Sequence, residues 1–176
     1  MIKIQEWAED MWMETTLVII RGNSGSGKTT LAQALQRRVG HHTLLVSQDV
    51  VRRDMLMSHD YPGNISIGLI EQIACYGLGR VPVVIVEGIL ARDRYGKMLA
   101  RLSQSFPRVL TYYFEVSFAT TLARHQKRHR DFGVEDMRRW WLPHDTLGVA
   151  NEVLIGEQQD LTTEVQQIMT TIHDCD

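Results

Sequence analysis

The stretch Gly22-Asn23-Ser24-Gly25-Ser26-Gly27-Lys28-Thr29 meets the pattern G-x-x-x-x-G-K-[ST] at every fixed position. A chain of this kind wraps a β- or γ-phosphate in successive backbone N–H groups. Gly22, Gly25 and Gly27 allow the φ values that aim those groups inward. Lys28 brings a mobile positive charge to the outer phosphates, and the Thr29 hydroxyl is placed to ligate Mg²⁺. A helix opening at this point adds the partial positive charge of its N-terminus to the same anion. The flanks agree. Thr16-Leu17-Val18-Ile19-Ile20 reads as a buried strand directly before the loop, and Leu31, Leu35 and Val39 recur at helical spacing directly after it. A Gly-rich turn without function explains the eight residues but not their setting. The reading is ATP with Mg²⁺, held by Gly22, Asn23, Ser24, Gly25, Ser26, Gly27, Lys28, Thr29 and Thr30.

Working outward, apolar runs alternate with amphipathic stretches, which predicts an α/β architecture with a mostly parallel sheet covered by helices on both faces. Five strands are expected at 17–21, 43–47, 83–86, 109–116 and 153–155, in the spatial order 2-3-1-4-5. Helices are expected at 28–39, 50–57, 65–76, 95–105, 117–130, 134–141 and 161–172, with Ser117 as an N-cap and Gly133 as a break. Residues 59–63, with Pro62-Gly63, read as an exposed turn. Residues 1–15 form an N-terminal extension of unassigned role, with Trp7 and Trp12 suited to a short helix against the body.

Composition bounds the partners. With 176 residues the chain can bury its own core, and a net charge of −2 gives no global attraction to nucleic acid or membranes. Cys75 and Cys175 have no ligand-like spacing and read as free thiols in a reducing compartment. The charges Lys3, Glu6, Glu9, Asp10 and Glu14 break up any signal-peptide core, and no apolar run is long enough to span a bilayer. The expectation is a cytoplasmic monomer or homodimer with no stable nucleic-acid binding.

In parallel sheets, ligands sit beyond the carboxyl ends of the strands. That rule selects Asp49 after the second strand and Glu87 after the third. A carboxylate at Asp49 can take the proton of an attacking hydroxyl or orient a metal-bound water, and it also suits the N-cap of a helix starting at Val50. Arg52 falls on the same helical face three residues later and can grip an anionic acceptor group, whereas Arg53 reads as a solvated surface arginine. Glu87 closes Val83-Val84-Ile85-Val86 in the manner of a Walker B element. It is placed to hold Mg²⁺, partly through water, or to contact the acceptor, with a plain solvent-facing strand end as the alternative.

The run Arg124-His125-Gln126-Lys127-Arg128-His129-Arg130 is the densest positive patch in the chain, with Arg124 and Arg128 on one helix face. It suits a basic lid, about residues 117–142, that closes over a triphosphate and offsets the charge of the migrating phosphoryl group; a solvated basic face is the alternative. Trp140-Trp141 suits core packing or, alternatively, base stacking.

With these residues in place, the chain resembles the small P-loop kinases, and most closely the branch of zeta-toxin-like kinases and polynucleotide 5′-kinases. The specific part is the phosphate loop together with Gln48-Asp49-Val50-Val51-Arg52, which is similar to that branch's D-x-x-R motif. Chains labelled uridine kinases are similar as well. The resemblance implies one P-loop NTPase domain over residues 1–176 that moves the γ-phosphoryl group of ATP to the hydroxyl of a small molecule or nucleotide-type acceptor. Lys28, Asp49, Arg124 and Arg128 would be catalytic, Asp49, Arg52 and Glu87 would contact substrate, and Thr29 and Glu87 would hold the metal. A GTPase would need an N-K-x-D segment, which the chain lacks; Asp145-Thr146-Leu147-Gly148 mimics a D-x-x-G but falls too late in the strand order. A nucleotide-sensing module without turnover remains the rival from another class, and it predicts that Asp49 is dispensable.

Overall fold

The computed structural model of the protein describes residues 14–126 and 133–173. Its strands are β1 (Thr16–Gly22), β2 (Thr43–Ser47), β3 (Val83–Gly88), β4 (Arg108–Phe114) and β5 (Glu152–Ile155). They form one sheet in the order β2-β3-β1-β4-β5, and every pairing is parallel. The expected order is therefore present, and the sheet is parallel throughout.

Strands at the centre of such a sheet are buried on both faces, which is why β1 and β3 read as unbroken apolar runs. Their side chains alternate between two cores. Leu17, Ile19, Val84 and Val86 pack with Ile70, Tyr95, Met98 and Leu102 on one face. Val18, Ile20, Val83 and Ile85 pack with Leu31, Leu35, Val165 and Ile168 on the other. The first face is covered by α2 (Ser66–Gly77) and α3 (Arg92–Ser105), the second by α1 (Lys28–Val39) and α6 (Leu161–His173). Two shorter helices, α4 (Phe118–Gln126) and α5 (Val134–Trp140), lie in the expected lid region. Among the described residues no helix is long and apolar enough to cross a membrane.

Local chemistry accounts for most boundaries. The Ser117 hydroxyl accepts the Thr120 N–H at 3.3 Å, so Ser117 caps α4 as its position predicts. Asn64 Oδ1 accepts the Ser66 N–H at 3.1 Å and ties down the start of α2. Two elements depart from expectation. Helix α3 begins at Arg92, three residues before the expected start, because Asp145 Oδ2, far along the chain, accepts the Arg92 N–H at 3.0 Å. The helix expected at 50–57 is instead a π-helical segment, Val50–Met55. Val51 stays in the core, and the spacings of three and four residues return both following arginines to Asp49.

Candidate active site

The phosphate loop joins β1 to α1 at the carboxyl edge of the sheet. Gly25 has φ 78°, and a Cβ there would stand 2.9 Å from the Thr121 carbonyl oxygen of α4. Glycine thus lets the loop take a left-handed conformation and lets α4 lie directly on it. Lys28 is buried, and its Nζ donates across the loop to the Asn23 carbonyl at 3.2 Å. The Asn23 side chain faces the other way. Its amide donates to Leu142 O at 2.8 Å and its Oδ1 accepts Leu142 N–H at 2.9 Å, so it fastens the loop to the segment after α5. Ser26 Oγ is buried without a partner. A buried, unpaired hydroxyl inside a ring of left-handed glycines fits a cradle for phosphate oxygens.

Beside the loop, Glu87 is 2% exposed at the end of β3, directly opposite Ser47 in the β2 register. One carboxylate oxygen accepts the Thr29 hydroxyl at 3.0 Å and the other accepts the Ser47 hydroxyl. The result is a compact set of hard oxygens suited to Mg²⁺. Gln48, the residue after β2, accepts the Leu90 N–H at 2.9 Å and locks the chain leaving Glu87.

Asp49 lies at the mouth of this cleft with 64% of its side chain exposed. It makes no capping bond to the following turn. Its Oδ1 instead receives Arg52 Nη2 at 3.0 Å and Arg53 Nε at 3.2 Å. Arg53 keeps 45% of its side chain exposed, as its reading as a surface arginine expects, and pairs with Asp49 because residues four apart share a helical face. Arg52 is further fixed by Ser58 O, which accepts its Nη1 at 3.0 Å, while its buried Nε has no acceptor.

Two cavities meet here. A small one of about 90 Å³ is lined by the phosphate loop, Asp49 and Arg124. A larger one of about 750 Å³ is lined by Arg52, Arg53, Arg94 and Arg139 among others. Arg53, Ile89 and Trp140 line both. Trp140 is thus a wall of the cleft, whereas Trp141 packs edge-on against Phe118 at 5.2 Å and serves the lid's own packing. Arg124 donates to the Ser26 carbonyl and so reaches the phosphate loop from α4. Arg128 lies outside the described residues.

Periodicity did not reveal the charge network behind the loop. Arg21, fully buried at the end of β1, donates to Leu90 O at 3.0 Å, pairs with Asp145 at 2.7 Å and approaches Glu152 at 3.5 Å. Burial pulls its guanidinium below the ordinary value while Asp145 and Glu152 draw it back, and arginine stays charged throughout. The D-x-x-G look-alike at Asp145 is one half of this pair. A second network joins Asp60 to Tyr95 Oη at 2.9 Å and to Arg94 Nη1 at 2.7 Å, pinning the Pro62-Gly63 turn to α3. Burial pushes the Tyr95 phenol up, so it remains a donor.

The AAA_33 family, described as an AAA domain, matches residues 17–139, from β1 to the last turn of α5. The chain belongs to this family. In its fold, this AAA-family chain is similar to a gluconokinase from Sinorhizobium meliloti 1021, with TM-score 0.63, 16% identity and 94% of each chain covered. It is also similar to the Mycobacterium tuberculosis APS kinase in complex with AMPPNP and APS, with TM-score 0.64 and 12% identity over 92% of this chain and 98% of that one. A tunicamycin resistance protein from Deinococcus radiodurans is comparably similar, with TM-score 0.62 and 15% identity over 91% and 96%. At these identities the likeness is one of fold, that of P-loop kinases. No curated protein sequence matches significantly. The comparisons do not single out the zeta-toxin-like, polynucleotide 5′-kinase or uridine kinase branch.

Proposed function

We propose that the chain is an ATP-dependent phosphotransferase acting on a hydroxyl of a small molecule, with residues 1–176 as one kinase domain and residues 117–142 as its lid. The observation that carries this reading is the pair of adjoining cavities, with Asp49 lining the smaller one and paired to Arg53, which lines both. A nucleotide sensor needs the first cavity only. A phosphotransferase needs a second chamber, open to the first, for the acceptor.

Asp49 Oδ1 is occupied by Arg52 and Arg53, which orients the carboxylate and leaves Oδ2 to meet a hydroxyl. The acceptor oxygen forms a bond to the γ-phosphorus and its proton passes to Asp49. The bond from the γ-phosphorus to the β–γ bridging oxygen breaks, and ADP keeps the electron pair. Lys28 and Arg124, both at the loop, offset the charge on the migrating group. Arg128 joins them on spacing alone. Thr29 and Glu87 would hold Mg²⁺, partly through water; when bound it neutralises charge on the β- and γ-oxygens. The D-x-x-R resemblance to zeta-toxin-like and polynucleotide 5′-kinases supports the roles of Asp49 and Arg52. The nucleoside kinase reading names one acceptor class within this reaction.

The test is ADP production measured across sugars, nucleosides, nucleotides and oligonucleotide 5′ ends. Removal of such a base typically costs about 10²–10⁴-fold in rate, so Asp49→Asn should lose transfer at that scale with ATP affinity unchanged. Wild-type turnover in that variant would return Asp49 to a purely structural role and favour the sensor.

A further inference from the structure

We infer that the acceptor is a neutral, polyhydroxylated small molecule of the sugar or sugar-alcohol class. Its carbon skeleton lies against Trp140, and its hydroxyls meet the arginine–aspartate pairs of the larger cavity. This inference rests on the phosphotransferase reading and specifies its substrate.

At about 750 Å³ the cavity has the size of a small-molecule site. Four arginines line it, and each already has a carboxylate. Arg52 and Arg53 share Asp49 at 3.0 and 3.2 Å. Arg94 pairs with Asp60 at 2.7 Å and approaches Asp93 at 3.4 Å, and Arg139 faces Asp136 at 3.9 Å. Among the described residues, the charges of the lining arginines are therefore cancelled by those of their partners. A phosphate or carboxylate entering this space would meet no net attraction. It would also lie against Asp60 and Asp136, which line the same cavity. To gain an arginine it would have to displace that arginine's own carboxylate and leave a charge without its partner.

Cancelled charge leaves hydrogen bonding intact. A guanidinium only donates, an ionised carboxylate only accepts, and a hydroxyl does both. Side by side, the pairs present donors next to acceptors. A polyol fits that alternation, each hydroxyl donating to an aspartate and accepting from the neighbouring arginine, with no ion pair broken. Asp60 is oriented before a ligand arrives, because Tyr95 Oη donates to it at 2.9 Å while Arg94 holds it from the other side. The rest of the wall is apolar, from Met57, Ile89 and Trp140. A sugar has the same division, with C–H groups on its face and hydroxyls at its edge. Its face covers the indole without losing a hydrogen bond, and its edge replaces the water around the pairs. A wholly apolar acceptor would strip that water and return nothing. Ile89 and Trp140 also line the phosphate-loop cavity, where Asp49 stands, so a skeleton packed on them brings a hydroxyl to the base.

The test compares acceptors of one skeleton and different charge. ADP production by the full chain with ATP and Mg²⁺ is measured with neutral sugars and sugar alcohols, with the corresponding sugar acids and sugar phosphates, and with nucleosides. We expect a neutral sugar or sugar alcohol to exceed its own acid and phosphate, and the nucleosides, by about tenfold or more in kcat/KM. Asp136→Asn keeps the side chain's size and an acceptor for the Gly133 N–H, but removes the charge facing Arg139. It should lower KM for the anionic acceptors and raise it for the neutral one, shrinking the preference by about tenfold. A purely structural role would raise both values together. Trp140→Ala should raise the neutral acceptor's KM by about tenfold, and Trp140→Phe should recover most of the loss. A preference for the acid, phosphate or nucleoside would overturn the inference while leaving the phosphotransferase reading intact. So would a parallel rise of both KM values in Asp136→Asn, or an unaltered KM in Trp140→Ala. No ADP production with any acceptor would overturn both.

Discussion

A carboxylate held by two guanidinium groups through one of its oxygens, as Asp49 is, leaves the other oxygen to a further partner, which in the proposed reaction would be the proton of the acceptor hydroxyl. Glu164 shows a different use of environment. It is 6% exposed on α6, and burial raises its carboxyl to about 7, with Arg124 pulling it back and Asp160 pushing it further. A folded-state value above the ordinary 4.5 means that the fold favours the protonated acid. That preference is complete below about pH 4.5 and is lost as pH rises through 7, where a buried charge must be carried. Glu164→Gln should therefore change stability little at pH 4.5 and raise it by up to about 3 kcal/mol at pH 8. Denaturant melts of both proteins across that range check the sign; a difference that does not grow with pH would show that the carboxyl titrates normally.

At the scale of elements, the site depends on pieces fastened to one another across the cleft. Arg21 at the end of β1 reaches Asp145, and the same carboxylate caps α3. Asp145→Ala removes both contacts and leaves a fully buried guanidinium with Glu152 at 3.5 Å as its remaining counter-charge and Leu90 O as its remaining acceptor, which should cost on the order of 3 kcal/mol. A melting temperature within error of wild type would contradict this. Helix α4 is coupled to the phosphate loop through Gly25, where a Cβ would press on the Thr121 carbonyl in a left-handed conformation. Gly25→Ala should lose about 1–3 kcal/mol of stability and bind ATP more weakly, because loop and lid must separate to admit the methyl group. Paired thermal melts with and without ATP read both effects.

Over the whole molecule, ligand and fold are linked: whatever binds the native chain alone stabilises it. ATP with Mg²⁺ at a hundred times its Kd should add about 2.7 kcal/mol, and Lys28→Ala should lose most of that gain at the same concentration while melting normally without ligand. Equal stabilisation of the two proteins would remove Lys28 from the binding site. How far this could be foreseen depends on distance along the chain. The phosphate loop, the five parallel strands in their order and the helices on both faces follow from local pattern. Eight contiguous residues make the cradle, unbroken apolar runs can only be central strands, and strand ends must face the ligand edge. Asp49 and Glu87 are legible for the same reason. The π-helical form of the segment Val50–Met55, the Arg21–Asp145 pair, the Asp60–Tyr95–Arg94 lock and the wall made by Trp140 are not. Each joins side chains whose own neighbours in sequence carry no periodic signal, and a lone arginine at a strand end looks the same whether it meets water or a distant carboxylate. Sequence determined where the phosphate loop sits and which strands surround it. Only the packing of remote segments decided which charges face the larger cavity, because burial, not pattern, selects the partners of a charge.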